Sequence, residues 1–129
     1  MSVLKVGIAS YEEMKAHTIA IAKGELKPSK DEPRIWFTSA ESFARIISAK
    51  NRALLSLIVE STPDSLTQLA ELAGRKKSNL SRTLKTMERY GLVVLKKGVR
   101  GTITPQVPYQ AISLVLPLRS GGRHRNRAA

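Results

Sequence analysis

The segment from Gly74 to Val93, GRKKSNLSRTLKTMERYGLV, constrains the fold more than any other part of the chain. It holds six Lys or Arg and a single acid. Leu80, Leu84 and Met87 nevertheless recur at the spacing of one helical face. At about 100° per residue, most of the basic side chains fall on the opposite face. The pattern predicts a helix whose apolar face, which we call the seam, packs on a core. The opposite face would expose a row of Lys and Arg side chains to solvent.

The elements around this helix follow a recognisable order. Ser65–Ala73 predicts a short helix, with Ser65 as its cap and Gly74 as its stop. The basic helix is expected over Ser78–Tyr90, and Leu92 to about Thr104 reads as a hairpin with glycines in its turn. Two short helices joined by a Gly-containing turn and followed by a hairpin are typical of a winged helix-turn-helix. We expect the two helices to pack through the following leucines: Leu69, Leu72, Leu80 and Leu84.

The flanking sequence predicts further elements. Val3–Ile8 and Arg34–Thr38 are β-prone, and a Ser10 to Glu13 capping box opens a helix between them. This gives an N-terminal β-α-β segment. A clean alternation over residues 111–118 predicts a last strand. That strand is expected to pair with Val3–Ile8, within the chain or across a dimer, because its backbone groups and apolar row need a partner.

Two more helices are expected between the second strand and the basic segment. Thr38 with Glu41 forms a second capping box, which predicts that a helix starts there. The next helix, over Asn51–Glu60, is the most apolar of the chain. Its expected core face is Leu54, Leu57 and Ile58.

The whole pattern predicts an α+β fold. We divide it into a dimerisation or partner segment (1–38), a winged helix-turn-helix DNA-binding domain (39–110), a C-terminal strand (111–118) and a disordered basic tail (119–129).

Positive charge is concentrated where the basic helix lies. The chain has 22 Lys or Arg against 10 Asp or Glu. Residues 1–64 hold nine bases and eight acids, whereas residues 65–101 hold nine bases and two acids. Residues 102–118 carry no charged side chain, and the tail adds four Arg. Such localisation predicts a polyanionic partner, most often nucleic acid.

The residue types of the basic helix suit DNA. Lys and Arg neutralise phosphates, while Arg and Asn can hydrogen-bond guanine and adenine edges. The hairpin tip would reach the flanking backbone or minor groove. The predicted DNA-binding residues are Lys76, Lys77, Ser78, Asn79, Ser81, Arg82, Lys85, Thr86, Arg89, Lys96, Lys97 and Arg100.

The stretch SLTQLAELAGRKKSNLSRTLKTMERYGLV resembles the helix-turn-helix of MarR-type winged-helix regulators, over roughly residues 48–105. The resemblance lies in a Ser-rich helix start (Ser78, Ser81), a central Arg82 and the exit Glu88–Val93. The chain is more similar still to a family of small prokaryotic DNA-binding regulators, often described as regulators or antitoxins. The resembling stretches are KVGIASYEEMKAHTIAIAKGE, IWFTSAES, SAKNRALL and GRKKSNLSRTLKTMERYGLV. The resemblance implies transcription regulation, or toxin neutralisation with autoregulation.

Other chemistry has little support in the sequence. The chain has no cysteine, which excludes disulfides and thiolate catalysis. Its only histidines are His17 and His124, and neither has a convincing set of metal ligands nearby. Nothing arranges a nucleophile with a base, so we expect no enzyme, cofactor or metal. No apolar run approaches the roughly 20 residues of a membrane helix, so a cytoplasmic protein is expected.

Three functions stay open at this point. The first is a sequence-specific regulator of double-stranded DNA, acting as a homodimer on a palindromic operator because one helix reads too few base pairs. The second is an antitoxin whose N-terminal region masks a toxin while its DNA binding serves autoregulation. The third is a binder of structured RNA.

Overall fold

A computed structural model describes residues 2–25 and 32–118. It is an α+β structure, as predicted. The predicted disordered tail, His124 and most of the loop after the first helix lie outside the described residues. The elements in chain order are β1 (Val3–Ile8), α1 (Tyr11–Ala22), β2 (Ile35–Phe37), α2 (Ala40–Ile46), α3 (Ala49–Ser61), α4 (Leu66–Ala73), α5 (Lys77–Arg89), β3 (Val94–Lys97), β4 (Ile103–Gln106) and β5 (Ala111–Val115).

The chain forms two compact units, each described here by itself. Of the described residues, the first unit comprises residue 2 and residues 46–111, and the second comprises residues 3–25, 32–45 and 112–118. The first unit therefore holds α3, α4, α5 and the β3–β4 hairpin. The second holds β1, α1, β2, all of α2 except its last residue and all of β5 except its first residue.

The second unit is built on a three-stranded sheet of order β2-β1-β5. β1 and β2 run parallel, with Val6 opposite Ile35 and Ile8 opposite Phe37, so α1 is the crossover between them. The pairing of β5 with β1 confirms that the two terminal strands meet within the chain. On this sheet Val6 and Phe37 are buried, and the Phe37 ring meets Phe43 of α2 edge-on at 5.4 Å.

Helix α1 starts where the sequence predicts. The Ser10 hydroxyl accepts from the Glu13 N–H (3.0 Å), and the Glu13 carboxylate accepts from the Ser10 N–H (2.8 Å), which completes the capping box. No residue of this helix is buried.

Helix α2 begins one residue later than its predicted cap implies. The Ser39 hydroxyl, rather than that of Thr38, accepts from the Ser42 N–H at 3.0 Å. The predicted Thr38 to Glu41 capping box is therefore wrong, because the adjacent hydroxyl takes the capping position.

The first unit surrounds a single apolar core. Helix α4 packs against α3 and α5, α5 packs against β3, and β4 lies against α3 and α4. Within α3 the buried residues are Leu54, Leu55 and Ile58, whereas the predicted Leu57 is only half-buried. The other buried apolar residues of this unit are Pro63, Leu66, Leu69, Leu80, Leu84, Met87, Leu92, Val93, Pro105 and Tyr109.

Candidate nucleic-acid interface

Helix α5 has the two faces that its sequence predicts. Leu80, Leu84 and Met87 are completely buried, and they fix the rotation of the helix on the core. With those side chains inside, Arg82, Lys85 and Arg89 are exposed on the other side. We call Ser78, Arg82, Lys85 and Arg89 the basic face of α5.

The contact between α5 and α4 differs from the prediction in one residue. Leu69 is fully buried beside α5, but Leu72 is 52 % exposed. Steps of three residues rotate by about −60° around a helix. Leu72 therefore turns away from the buried side that Leu66 and Leu69 share.

The structure leaves almost all of the predicted DNA-binding side chains open to solvent. Ser81 and Thr86 are half-buried at the edges of the basic face. The exposed ones are Lys76, Lys77, Ser78, Asn79, Arg82, Lys85, Arg89, Lys96, Lys97 and Arg100.

The charge of the first unit is strongly positive, and the basic face is not neutralised. Residues 46–111 contain eleven Lys or Arg and four Asp or Glu, of which only Glu88 lies on α5. In the second unit, His17 Nε2 lies 2.8 Å from Glu32 Oε2. None of the basic-face side chains has an ion-pair partner among the described residues. Their positive charge therefore faces solvent.

The start of α5 is also suited to an anion. Helix α4 begins with a side-chain cap, because the Ser65 hydroxyl accepts from the Gln68 N–H (3.1 Å). The N-cap residue of α5 is Lys76, whose side chain makes no such bond, and the first turn of the helix contains no acid. Backbone N–H groups at a helix start attract phosphate when no side chain occupies them.

Hydrogen bonds divide the exposed side chains of α5 into two groups. The Thr86 hydroxyl donates to the Arg82 carbonyl (3.2 Å), and Arg89 Nη2 donates to Thr86 Oγ1 (3.4 Å). Arg89 and Thr86 are thus held against their own helix. The side chains of Asn79, Arg82 and Lys85 make no hydrogen bond to another described residue, so they are available to a ligand.

The predicted hairpin is present, shifted slightly towards the C-terminus. β3 and β4 pair antiparallel, with Lys96 opposite Thr104 and Lys97 opposite Ile103. The loop closes through the Gly98 N–H, which donates to the Thr102 carbonyl at 2.7 Å. At the tip, Arg100 adopts a left-handed conformation (φ 60°) beside Val99, which is 80 % exposed.

Two side chains that position α5 and the hairpin were not predicted from the sequence. Arg75 Nη2, in the turn before α5, donates to Thr83 Oγ1 (3.3 Å) and so ties that turn to the helix. The Tyr109 hydroxyl donates to the carbonyl of Leu92, the residue where the chain leaves α5 for the hairpin. Burial raises the pKa of Tyr109 to about 12. Arg75 stands in the basic segment and could have been considered, whereas nothing local distinguishes Tyr109.

A third contact joins the hairpin to the loop before α4. The Thr104 hydroxyl donates to the Asp64 carbonyl at 2.8 Å. This bond ties β4 to that loop, whereas the Tyr109 bond joins the two segments that flank the hairpin.

Two other features were sought in the described part of the chain, a metal site and a membrane-spanning helix. No group of three or more His, Asp or Glu residues comes together there in a way that could hold a metal ion. No helix among those residues is long and apolar enough to cross a membrane.

Comparison with known proteins gives one family. The family model described as HVO_A0114 matches residues 46–114, just over half of the chain. The chain belongs to the HVO_A0114 family. The HVO_A0114 segment runs from the end of α2 into β5, so it includes α5, the hairpin and all twelve predicted DNA-binding residues. No curated protein and no solved structure matches the chain.

Proposed function

We propose that the protein is a sequence-specific regulator of transcription that binds double-stranded DNA as a homodimer on a palindromic operator. In this proposal residues 46–111 act as a winged helix-turn-helix, with α4 and α5 as its helix pair and the β3–β4 hairpin as its wing. The observation that carries the proposal is the pairing of a fully buried seam with an exposed, unpaired basic face on one helix.

The dimensions and the chemistry of DNA fit this surface. The major groove of B-DNA is about 12 Å wide and admits an α-helix. Lys85 and Arg89 can neutralise phosphates at the groove edge, and the uncapped start of α5 can accept one more. A surface with this density of unpaired cations gains affinity by releasing counterions from the duplex.

Within α5, we assign the recognition of DNA bases to Asn79 and Arg82. Both are exposed, and both lie in the first half of the helix, which recognition helices present to base edges. The long guanidinium of Arg82 suits a guanine edge and the Asn79 amide suits adenine. Thr86 and Arg89 are already bonded to each other, which favours a supporting or phosphate-binding role for them.

The wing should contribute affinity rather than discrimination. Lys96 and Lys97 end β3, and Arg100 lies at the tip of the loop. Side chains there would meet the sugar-phosphate backbone, which carries little sequence information.

The decisive experiment separates these two roles with charge-matched variants. Arg82→Ala should lose about 1–3 kcal/mol on a selected cognate duplex and less on random duplex. Arg52→Ala is the matched control, because Arg52 is an exposed base of the same unit that lies on α3. Binding is measured by fluorescence anisotropy across a salt series. Equal affinities of Arg82→Ala and the parent on both duplexes would show that α5 is not the recognition helix.

The same assay tests the wing. Replacing Lys96 and Lys97 together by Ala should weaken cognate and random DNA alike. It should also reduce the slope of log K against log salt by roughly one for each phosphate that is no longer neutralised. A parent protein with no salt-dependent binding to DNA would remove the proposed function altogether.

Two alternative functions give distinguishable results. Structured RNA would compete with duplex DNA if the protein bound A-form helices, although their deep, narrow major groove does not admit a recognition helix. An antitoxin would need a surface for a toxin. Helix α1 is the candidate for that surface, because it has no buried residue and its Tyr11 and Ile19 are 68 % and 42 % exposed. Loss of toxin neutralisation on replacing Tyr11, with DNA binding intact, would favour that function.

A further inference from the structure

The outer edge of β5 is unpaired in the part of the chain that the structure describes. The sheet order β2-β1-β5 gives β5 one neighbour, and on its other side no strand from residues 2–25 or 32–118 follows. Every second residue of Ala111–Val115 therefore turns its backbone N–H and C=O groups outwards. Such an edge is a template for pairing with another strand.

The opposite edge of the same sheet, β2, has features that prevent pairing with another strand. β2 is only three residues long, and Pro33 and Arg34 precede it directly. Short length, proline and charge are the usual means by which natural sheets prevent edge pairing. β5 has none of these within its span, since residues 102–118 carry no charge. Pro117 limits any pairing to β5 itself.

Two apolar side chains of β5 are exposed, Leu114 at 40 % and Val115 at 44 %, and the chain continues with the exposed Leu116. Leu114 and Val115 point to opposite faces of the sheet, so exposed apolar surface borders the open edge on both faces. Exposed apolar surface next to unpaired backbone groups indicates an interface.

We propose that the open edge of β5 pairs antiparallel with β5 of a second copy of this chain, across a two-fold axis at Ser113. The two three-stranded sheets then form one continuous sheet of six strands. This names the dimer surface of the regulator proposed above, and its use in binding paired half-sites rests on that function.

Symmetry and charge both favour β5 of a second copy as the strand that pairs with this edge. An antiparallel pair centred on Ser113 satisfies the same backbone groups in both chains, which is the self-complementary arrangement of a two-fold interface. It places Ile112 opposite Leu114 of the second copy, and Ala111 opposite Val115 of the second copy. A charged strand from another protein would place its charges beside β5, which has no charged side chain to pair with them. The uncharged β5 of a second copy avoids this cost.

Cysteine cross-linking tests the register directly, because the chain has no cysteine of its own. Directly opposed residues in an antiparallel pair have Cβ atoms about 4.5–5.5 Å apart, close enough to form a disulfide after a small shift. Under mild oxidation the Ser113→Cys variant should become mostly covalent dimer on a non-reducing gel. Thr38→Cys, at an exposed position of the same unit, is the control and should stay monomeric. Equal cross-linking of the two variants, or none at Ser113→Cys, overturns the proposed register.

A charge-swap experiment tests the same axis without a covalent bond. Sedimentation equilibrium should show a dimeric parent at tens of micromolar. Ser113→Lys and Ser113→Glu should each weaken the dimer at least tenfold, because like charges oppose each other at the axis. An equimolar mixture of the two variants should recover it. A monomeric parent, or variants that dimerise as well as the parent, would overturn the proposal.

These outcomes are separable from those for DNA binding. A dimeric parent that cross-links at Ser113→Cys but shows no salt-dependent DNA binding keeps this interface and removes the regulator function. A monomeric parent that binds a single half-site duplex with the expected salt slope keeps the function and removes the interface.

Discussion

Removing the Tyr109 hydroxyl should destabilise the protein at neutral pH. The Tyr109 side chain is buried, and its hydroxyl donates to the carbonyl of Leu92, a residue that is itself fully buried. Tyr109→Phe keeps the ring and leaves that carbonyl without its donor. An unsatisfied buried acceptor costs about 1–3 kcal/mol, which is the expected loss in the free energy of unfolding.

The pH dependence of this loss gives a sharper test. The pKa of Tyr109 is about 12 in the folded protein, against about 10 in an unfolded chain. The folded state therefore holds the phenol proton more tightly, and the stabilisation is complete below pH 10. It decreases as the pH rises from 10 towards 12, by about 1.4 kcal/mol at pH 11. The Phe variant has no such group, so the gap between parent and variant should close by that amount.

Urea denaturation followed by far-UV circular dichroism at pH 8, 10 and 11 measures the gap. Other groups that titrate in this range, chiefly lysines, are common to both proteins and cancel in the difference. A gap below about 0.5 kcal/mol at pH 8 would be less than the expected cost of an unsatisfied buried acceptor and would contradict the buried hydrogen bond. A gap that stays constant from pH 8 to pH 11 would contradict the raised pKa.

Two further substitutions test the packing. Leu84→Ala removes a completely buried side chain of the α5 seam and should cost about 2–5 kcal/mol in urea denaturation, whereas the half-exposed Leu72 should lose clearly less when changed to Ala. Gly7→Ala would place a Cβ 2.6 Å from the Trp36 ring, so we expect a loss of about 1–3 kcal/mol and a shift of the tryptophan fluorescence. Gly98→Ala is its control, since the nearest heavy atom there lies at 3.7 Å; equal stabilities of the two Ala variants would show that Trp36 does not pack over β1.

The elements that could be predicted are those with local causes. The capping pairs Ser10 with Glu13 and Ser65 with Gln68 encode helix starts within four residues, and the structure has both. The α5 seam repeats over a long enough stretch to fix its buried face from periodicity alone. The same periodicity predicts the basic face, because burial of the seam leaves the opposite side of the helix exposed to solvent.

The misplaced residues have causes that no local pattern contains. Thr38 and Ser39 are both competent caps, and the position of the helix after β2 decides between them. In α3 the contacts with α4 and β4 rotate the buried face from Leu57 towards Leu55. The bond between Tyr109 and Leu92 spans 17 residues and depends on the hairpin being folded.

The balance of energies in α5 favours a functional origin for its charges. Arg82, Lys85 and Arg89 are spaced three and four residues apart, so each neighbouring pair destabilises an isolated helix by roughly 0.2–0.5 kcal/mol. Burial of the three seam side chains contributes about 1.5–3 kcal/mol each, which exceeds the repulsion several-fold. Burial of the seam therefore outweighs the repulsion along the row, and of the three bases Arg89 also interacts favourably with the dipole of its helix, because it lies in the last turn. A solvated face would interleave acids with these bases, whereas α5 has only Glu88. A basic row that stays exposed and meets no described counter-charge supports the polyanionic partner proposed above.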